Sequence, residues 1–283
     1  MRHPHMAAGR GLYAFEEGAS YGVDEASLPD LGELWEKGLD WQRLGPLLRR
    51  AARVDQMDFE AALDEMLSLC FCDPQRVFKQ AYYRKQTKNA WARDDPAFAL
   101  LQCGFLAVAA VATGCAVSAA RAGTYCYLVA AAAGGHWLAG GLLAATAHAV
   151  LANAFLQDRS RGSHSVAQSV EWLYAFDVHC DAFFVYFLVA YVGHYLVLPL
   201  ALGHSYAAML LANALHLAAT GAYWYVTHLG FRALPFLRRT EVFLYPVLAA
   251  AAAFLAALVL GVFGAKLNAS RVLLAAVLSP LST

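Results

Sequence analysis

Four long stretches contain no Asp, Glu, Lys or Arg, at residues 97–120, 122–157, 182–231 and 242–265. A helix crossing a bilayer needs about 20 such residues, because in hydrocarbon each backbone group must be satisfied within the segment and an uncompensated charge is costly. The third stretch, 50 residues long, is interrupted at Leu198-Pro199 and Gly203-His204-Ser205, where Pro and Gly break a helix, so it holds two spans. The second, at 36 residues, is too short for two spans and a turn. The pattern predicts an all-α, polytopic integral membrane bundle of about five transmembrane helices. They fall near 97–120, 130–155, 182–202, 206–229 and 242–265, within a membrane domain over 97–265, and residues 266–283 follow as a short tail.

Composition agrees: 60% of residues are apolar and 15% charged, against roughly 45–50% and 25% in soluble domains. Residues 1–96 carry 13 Lys/Arg and 16 Asp/Glu, whereas 97–283 carry only 8 and 5. With five spans, the N-terminal segment and the loops 158–181 and 230–241 share one side and hold 18 of the 21 basic residues. The positive-inside rule makes that side cytosolic and the tail lumenal. No signal peptide is expected, since 1–53 has no apolar core. The sequon Asn268-Ala269-Ser270 lies too near the bilayer to be an acceptor. A net charge of zero argues against nucleic-acid binding and against RNA as a partner. The cations before the first span with Tyr82, Tyr83 and Trp91 could nevertheless stack single-stranded RNA, so an RNA-binding membrane protein stays as a further alternative.

Residues 1–56 read as a flexible cytosolic arm, with a short helix near 31–41. Over 57–95, cytosolic amphipathic helices are predicted. Ala62, Leu63, Met66, Leu67 and Cys70 recur at helical spacing, and Asp73-Pro74 opens a second helix with the stripe Val77, Phe78, Ala81 and Tyr82. Arg76, Lys79, Arg84, Lys85, Lys88 and Arg93 continue to the first span, a pattern suited to anionic headgroups or to enforcing topology alone. Cys70 and Cys72 read as plain structural thiols rather than palmitoylation sites. The glycines 134, 135, 140 and 141 are expected to let a neighbouring helix approach the second span.

The run Lys85-Gln86-Thr87-Lys88-Asn89-Ala90-Trp91-Ala92-Arg93-Asp94-Asp95-Pro96-Ala97-Phe98, preceded by Met57-Asp58-Phe59-Glu60, resembles the uncoordinated-50 (Unc-50) family. So do Val170-Glu171-Trp172-Leu173-Tyr174-Ala175-Phe176-Asp177-Val178-His179 and the stretch from Tyr225 to Leu237 with Leu244-Tyr245-Pro246. The resemblance spans about residues 57–262. It implies a multispan protein of the Golgi membrane and also the endoplasmic reticulum, serving vesicle-mediated transport. It further implies Arf guanine-nucleotide exchange factors or membrane-protein cargo as partners. Relatives have also been described as RNA-binding. No catalytic residue, metal or cofactor comes with it.

Arg84, Lys85, Lys88, Arg93, Asp94, Asp95, Glu171, Asp177 and Arg232 are the expected partner or lipid surface. Asp177 and Asp181, four apart, share a helical face, where they can hold a metal or pair with cations of 92–95 and 231–232; ion pairing is the reading taken. Histidines 136, 148, 194, 216 and 228 are never closer than 12 residues, so no helix presents the paired imidazoles of a membrane oxygenase. Asn213, His216 and Thr220 share one face as interhelical hydrogen-bonding groups. A second reading is a lipid-handling enzyme or scramblase, in which Asn213, His216 and Asp181 line a membrane groove.

Overall fold

A computed structural model describes residues 41–72, 74–117, 121–158 and 168–279. Residues 1–40, 73, 118–120, 159–167 and 280–283 lie outside the described residues, and with them most of the helix expected near 31–41 and the part of Asp73 in opening the helix that follows it.

The charged segment forms three helices, α1 (Trp41–Ala51), α2 (Phe59–Leu67) and α3 (Pro74–Lys88). α1 stands within the stretch expected to be a flexible arm. Its Leu44, Leu47 and Ala51, one turn or two apart, pack against the core and give the segment a reason to be helical. Asp58 caps α2 by accepting from the Ala61 N–H at 2.9 Å, and Met66 and Leu69 are buried beneath it. α3 buries Val77, Phe78 and Ala81 of its expected stripe, whereas the fourth member, Tyr82, stays exposed.

Four helices are long and apolar enough to cross a membrane: α4 (Ala97–Ala116), α5 (Ala122–Leu156), α6 (Trp172–Leu196) and, after two further helices, α9 (Thr240–Val262). Between them stand the short α7 (Leu198–Ala201) and the 27-residue α8 (Tyr206–Arg232), long enough to span but more polar, with Asn213, His216 and Thr220 among its residues. α6 is central, packing on α4, α5 and α8, and α8 in turn holds α9 and α10 (Ala269–Leu278). Half of the most apolar window of α6 is buried, against 11% for α9. Leu248, Leu255, Val259 and Val262 on α9 are exposed, a surface that water would penalise and that suits a membrane-crossing helix facing lipid.

The sequence places the third span at 182–202, but the helix begins at Trp172. The ten residues before 182 include Asp177 and Asp181, which a charge-free window rejects. Here they are met by groups from outside the helix, so the charge does not end it. The tail 266–283 also differs from expectation, because Ala269–Leu278 is a helix packed on α8. Asn268 caps it, accepting from the Arg271 N–H at 3.1 Å, and its own amide donates to the Ala201 carbonyl at 2.7 Å.

Of the five glycines in α5, only Gly141 lies in a tight contact. A Cβ there would stand 2.5 Å from the His179 ring, while at Gly134 it would meet nothing within 4 Å. Gly135 and Gly140 face carbonyls of the wide turn Ala130–Ala139, in which the helix loosens to π geometry.

Candidate functional site: the charged end of the bundle

α3 ends at Asn89, whose left-handed φ of 52° an Asn tolerates better than most residues. The chain then crosses to α4 through residues 90–96, and the start of α6 holds this crossing by its backbone. The Glu171 carboxylate accepts from the Trp91 N–H at 3.1 Å and the Ala92 N–H at 3.3 Å, and also from Lys85 Nζ at 3.3 Å. Two turns along, Asp177 Oδ2 accepts from the Arg93 N–H at 2.6 Å. The buried Trp91 ring fills the space between, against Tyr82, Tyr174 and Phe236.

The Arg93 side chain then enters the protein. Its guanidinium pairs with Asp181, its Nε lies 3.4 Å from Glu65 Oε2, and its plane sits 4.4 Å from the Phe98 ring centroid. Burial alone would depress this guanidinium, but the carboxylates of Asp181, Glu65 and Asp177 outweigh it and hold the group well above its ordinary value. It is therefore a permanent cation at the centre of three acids.

Asp95 completes the crossing. One oxygen accepts from the Ala97 N–H at 2.9 Å, opening α4; the other takes Arg50 at 2.8 Å and the Asp58 N–H at 3.0 Å. Behind the crossing, the Tyr174 hydroxyl donates to the Gly230 carbonyl at 2.7 Å, tying α6 to α8. Asn153, not singled out from sequence, both accepts from the Val170 N–H at 2.7 Å and donates to the Val170 carbonyl at 3.0 Å. Its only sequence signal is an amide inside an apolar run.

The structure thus divides the expected surface residues. Arg93, Glu171, Asp177 and Asp95 are spent on internal contacts, and so is Lys85 in part. Arg84, half-buried, points its Nε at the Trp91 carbonyl at 3.5 Å. Lys88 and Asp94 pair with each other at 2.5 Å on the exposed surface, a contact of small energetic consequence. Arg232 stays exposed. It borders a groove of about 320 Å³ with Lys79, Tyr82, Tyr83, Phe78 and Leu229. Neither Lys79 nor Arg232 makes an ion pair among the described residues, and Tyr83 is 66% exposed.

Asp181 does not join Asn213 and His216 in a membrane groove. It is committed to Arg93, whereas Asn213 donates to the Leu267 carbonyl at 2.9 Å and accepts from the Ala269 N–H at 2.9 Å. His216 lies 3.3 Å from the Ser270 hydroxyl. These two groups dock α10, in keeping with an interhelical role. Cys70 is half-buried, and burial pushes its thiol up, which disfavours the reactive thiolate.

The model of the UNC-50 family matches residues 47–274, which takes in every element described above except the first half of α1 and the end of α10. The chain belongs to the UNC-50 family. Among its relatives, the protein unc-50 homolog of Dictyostelium discoideum is 41% identical over 222 residues, covering 78% of this chain and 84% of that protein. The Homo sapiens unc-50 homolog is 39% identical over 206 residues, covering 70% and 75%. No solved structure matches. The UNC-50 match includes both halves of the ion cluster, Arg93 on one side and Asp177 and Asp181 on the other.

Proposed function

We propose that this UNC-50 protein supports vesicle-mediated transport at the Golgi membrane by offering the charged end of its bundle, on the cytosolic face, to an Arf guanine-nucleotide exchange factor. Family membership supports the cellular setting. The observation that carries the docking role is the groove between α3 and α8, where exposed Lys79 and Arg232 flank Tyr82 and Tyr83. Aromatic rings beside unpaired cations recognise a segment carrying acidic and apolar side chains, the combination enriched at protein interfaces. The Arg93 cluster serves this surface by holding the crossing that follows α3, and α2 through Glu65, against α6. Arg76, exposed on the same helix, adds attraction to anionic headgroups of about 1 kcal/mol per cation near the surface.

Flotation of a purified exchange factor with liposomes containing the reconstituted protein tests this reading. Wild type is expected to carry the factor into the floating fraction, and the double substitution Lys79→Glu, Arg232→Glu to release it. Equal recruitment by wild type, the double variant and protein-free liposomes would overturn the docking role.

A further inference from the structure

At the other end of the bundle, a cavity of about 370 Å³ lies among α4, α5, α6, α8 and α10. Its size falls within the range of small-molecule sites, which run from about 300 to 1,000 Å³. Most of its wall is Ala, Leu and Val. One side carries polar groups: His136, whose Nδ1 lies 2.7 Å from the Tyr191 hydroxyl, and His194, whose ring is 5.2 Å from that of His216. Ser270 closes the corner at 3.3 Å from His216.

Three features restrict what can enter. Among the described residues no Asp, Glu, Lys or Arg lines the cavity, so a phosphate or ammonium headgroup would find no counter-charge there and would be desolvated without compensation. Among the described residues, no three His, Cys, Asp or Glu side chains are placed to hold a metal. Tyr195 and Leu273, both exposed, are among the lining residues, so the cavity opens at the outer surface of the bundle between two apolar helices.

The walls also depart from regular helix where they border this space. α5 widens to π geometry over Ala130–Ala139 and α6 over Leu188–Gly193, and such bulges re-aim side chains, frequently at functional sites. They carry His136 and Tyr191. Another wall is α10, whose ten residues rise about 15 Å, half the hydrocarbon thickness. A half-span helix held by Asn213 and Asn268 is an unusual thing to build in lipid, and here it encloses a polar corner.

We infer that this cavity binds one uncharged lipid bearing a free hydroxyl, its apolar body against the Ala/Leu wall and its hydroxyl among His136, Tyr191, His194 and His216. Neutral imidazoles and phenols both donate and accept, which suits a hydroxyl and does not suit a phosphate. Among the described residues the His194 ring meets the His216 ring without a hydrogen bond of its own, and the Tyr186 hydroxyl has none either, leaving capacity for such a ligand.

The test uses the full chain in phosphatidylcholine nanodiscs with three photoactivatable probes: diacylglycerol, cholesterol, and phosphatidylcholine. Either hydroxyl lipid is expected to label peptides from 186–202 or 269–278, competed by its unlabelled form and not by its O-acetyl derivative. Ala190→Phe, which places a ring in the cavity, is expected to reduce that labelling about tenfold. His194→Leu, close in size, is expected to erase the preference for hydroxyl over acetate while keeping the same elution volume. Labelling spread over all lipid-facing helices, equal competition by the acetate, or phosphatidylcholine labelling the same peptides as strongly would each overturn the inference. Because it concerns the opposite end of the molecule, its failure leaves exchange-factor recruitment untouched.

Discussion

Arg93 and Asp181, 88 residues apart in sequence, form an ion pair in which the side chains are only 9% and 3% exposed. The pair joins the loop before the first membrane helix to the interior of the third. Each charge is tolerable only through the other, and Glu65 and Asp177 add to the field on the cation.

Removing the cation should therefore cost more than the pair is worth. Arg93→Met is expected to destabilise the protein by about 3–5 kcal/mol, because it strands buried carboxylates. Combining it with Asp181→Leu should restore part of the loss, which a thermal unfolding series in detergent would read as a double-mutant cycle. Additive losses would show that the two groups do not depend on one another.

Glu171 holds the crossing by two backbone N–H groups. Glu171→Ala leaves those of Trp91 and Ala92 unpaired at a cost of about 1–3 kcal/mol, while Glu171→Gln keeps an acceptor oxygen and should lose less. Hydrogen exchange over residues 90–93 is expected to accelerate strongly in the Ala variant and modestly in the Gln variant. Unchanged exchange in both would remove Glu171 from this role.

The glycines of α5 give a matched pair of substitutions. Gly141→Ala drives a methyl into the His179 ring, itself fixed by a 2.8 Å contact to the Tyr223 hydroxyl, and should cost about 1–3 kcal/mol. Gly134→Ala meets open space and should stay within about 0.5 kcal/mol of wild type. Similar melting losses for the two would contradict this placement.

The sequon at Asn268 is expected to remain unmodified whichever side of the membrane it faces, since the Asn268 side chain is buried and bonded to Ala201 and Arg271. Glycosidase treatment of protein from secretory membranes should leave gel mobility unchanged. A shift abolished by Asn268→Gln would contradict the packing of α10.

The helical membrane architecture was legible because a run without charge is a direct reading of hydrocarbon. The start of α6 was not, since Asp177 and Asp181 look forbidding until the partner supplied by Arg93 is known, and that partner is a tertiary fact. The same limit explains why the acidic and basic residues of 84–95 and 171–181 were expected together on a surface. Their types and proximity to the membrane were readable, but whether a charge faces water or another charge depends on how the crossing folds. Glu65 escaped notice because it sits among the acids of an amphipathic helix, with nothing local to distinguish it from Asp64 or Glu60. Asn213 and His216 were readable as interhelical groups, whereas their partner α10 was hidden in a segment too short to register as a span.

Docking of a soluble partner requires that the groove between Lys79 and Arg232 face the cytosol. In a cysteine-depleted background, a membrane-impermeant maleimide reads this on Lys79→Cys and Lys266→Cys in cells. With only the plasma membrane opened by digitonin, labelling is expected at position 79 and protection at 266 until internal membranes are dissolved. Protection at 79 with labelling at 266 would put the groove in the lumen, out of reach of any cytosolic partner.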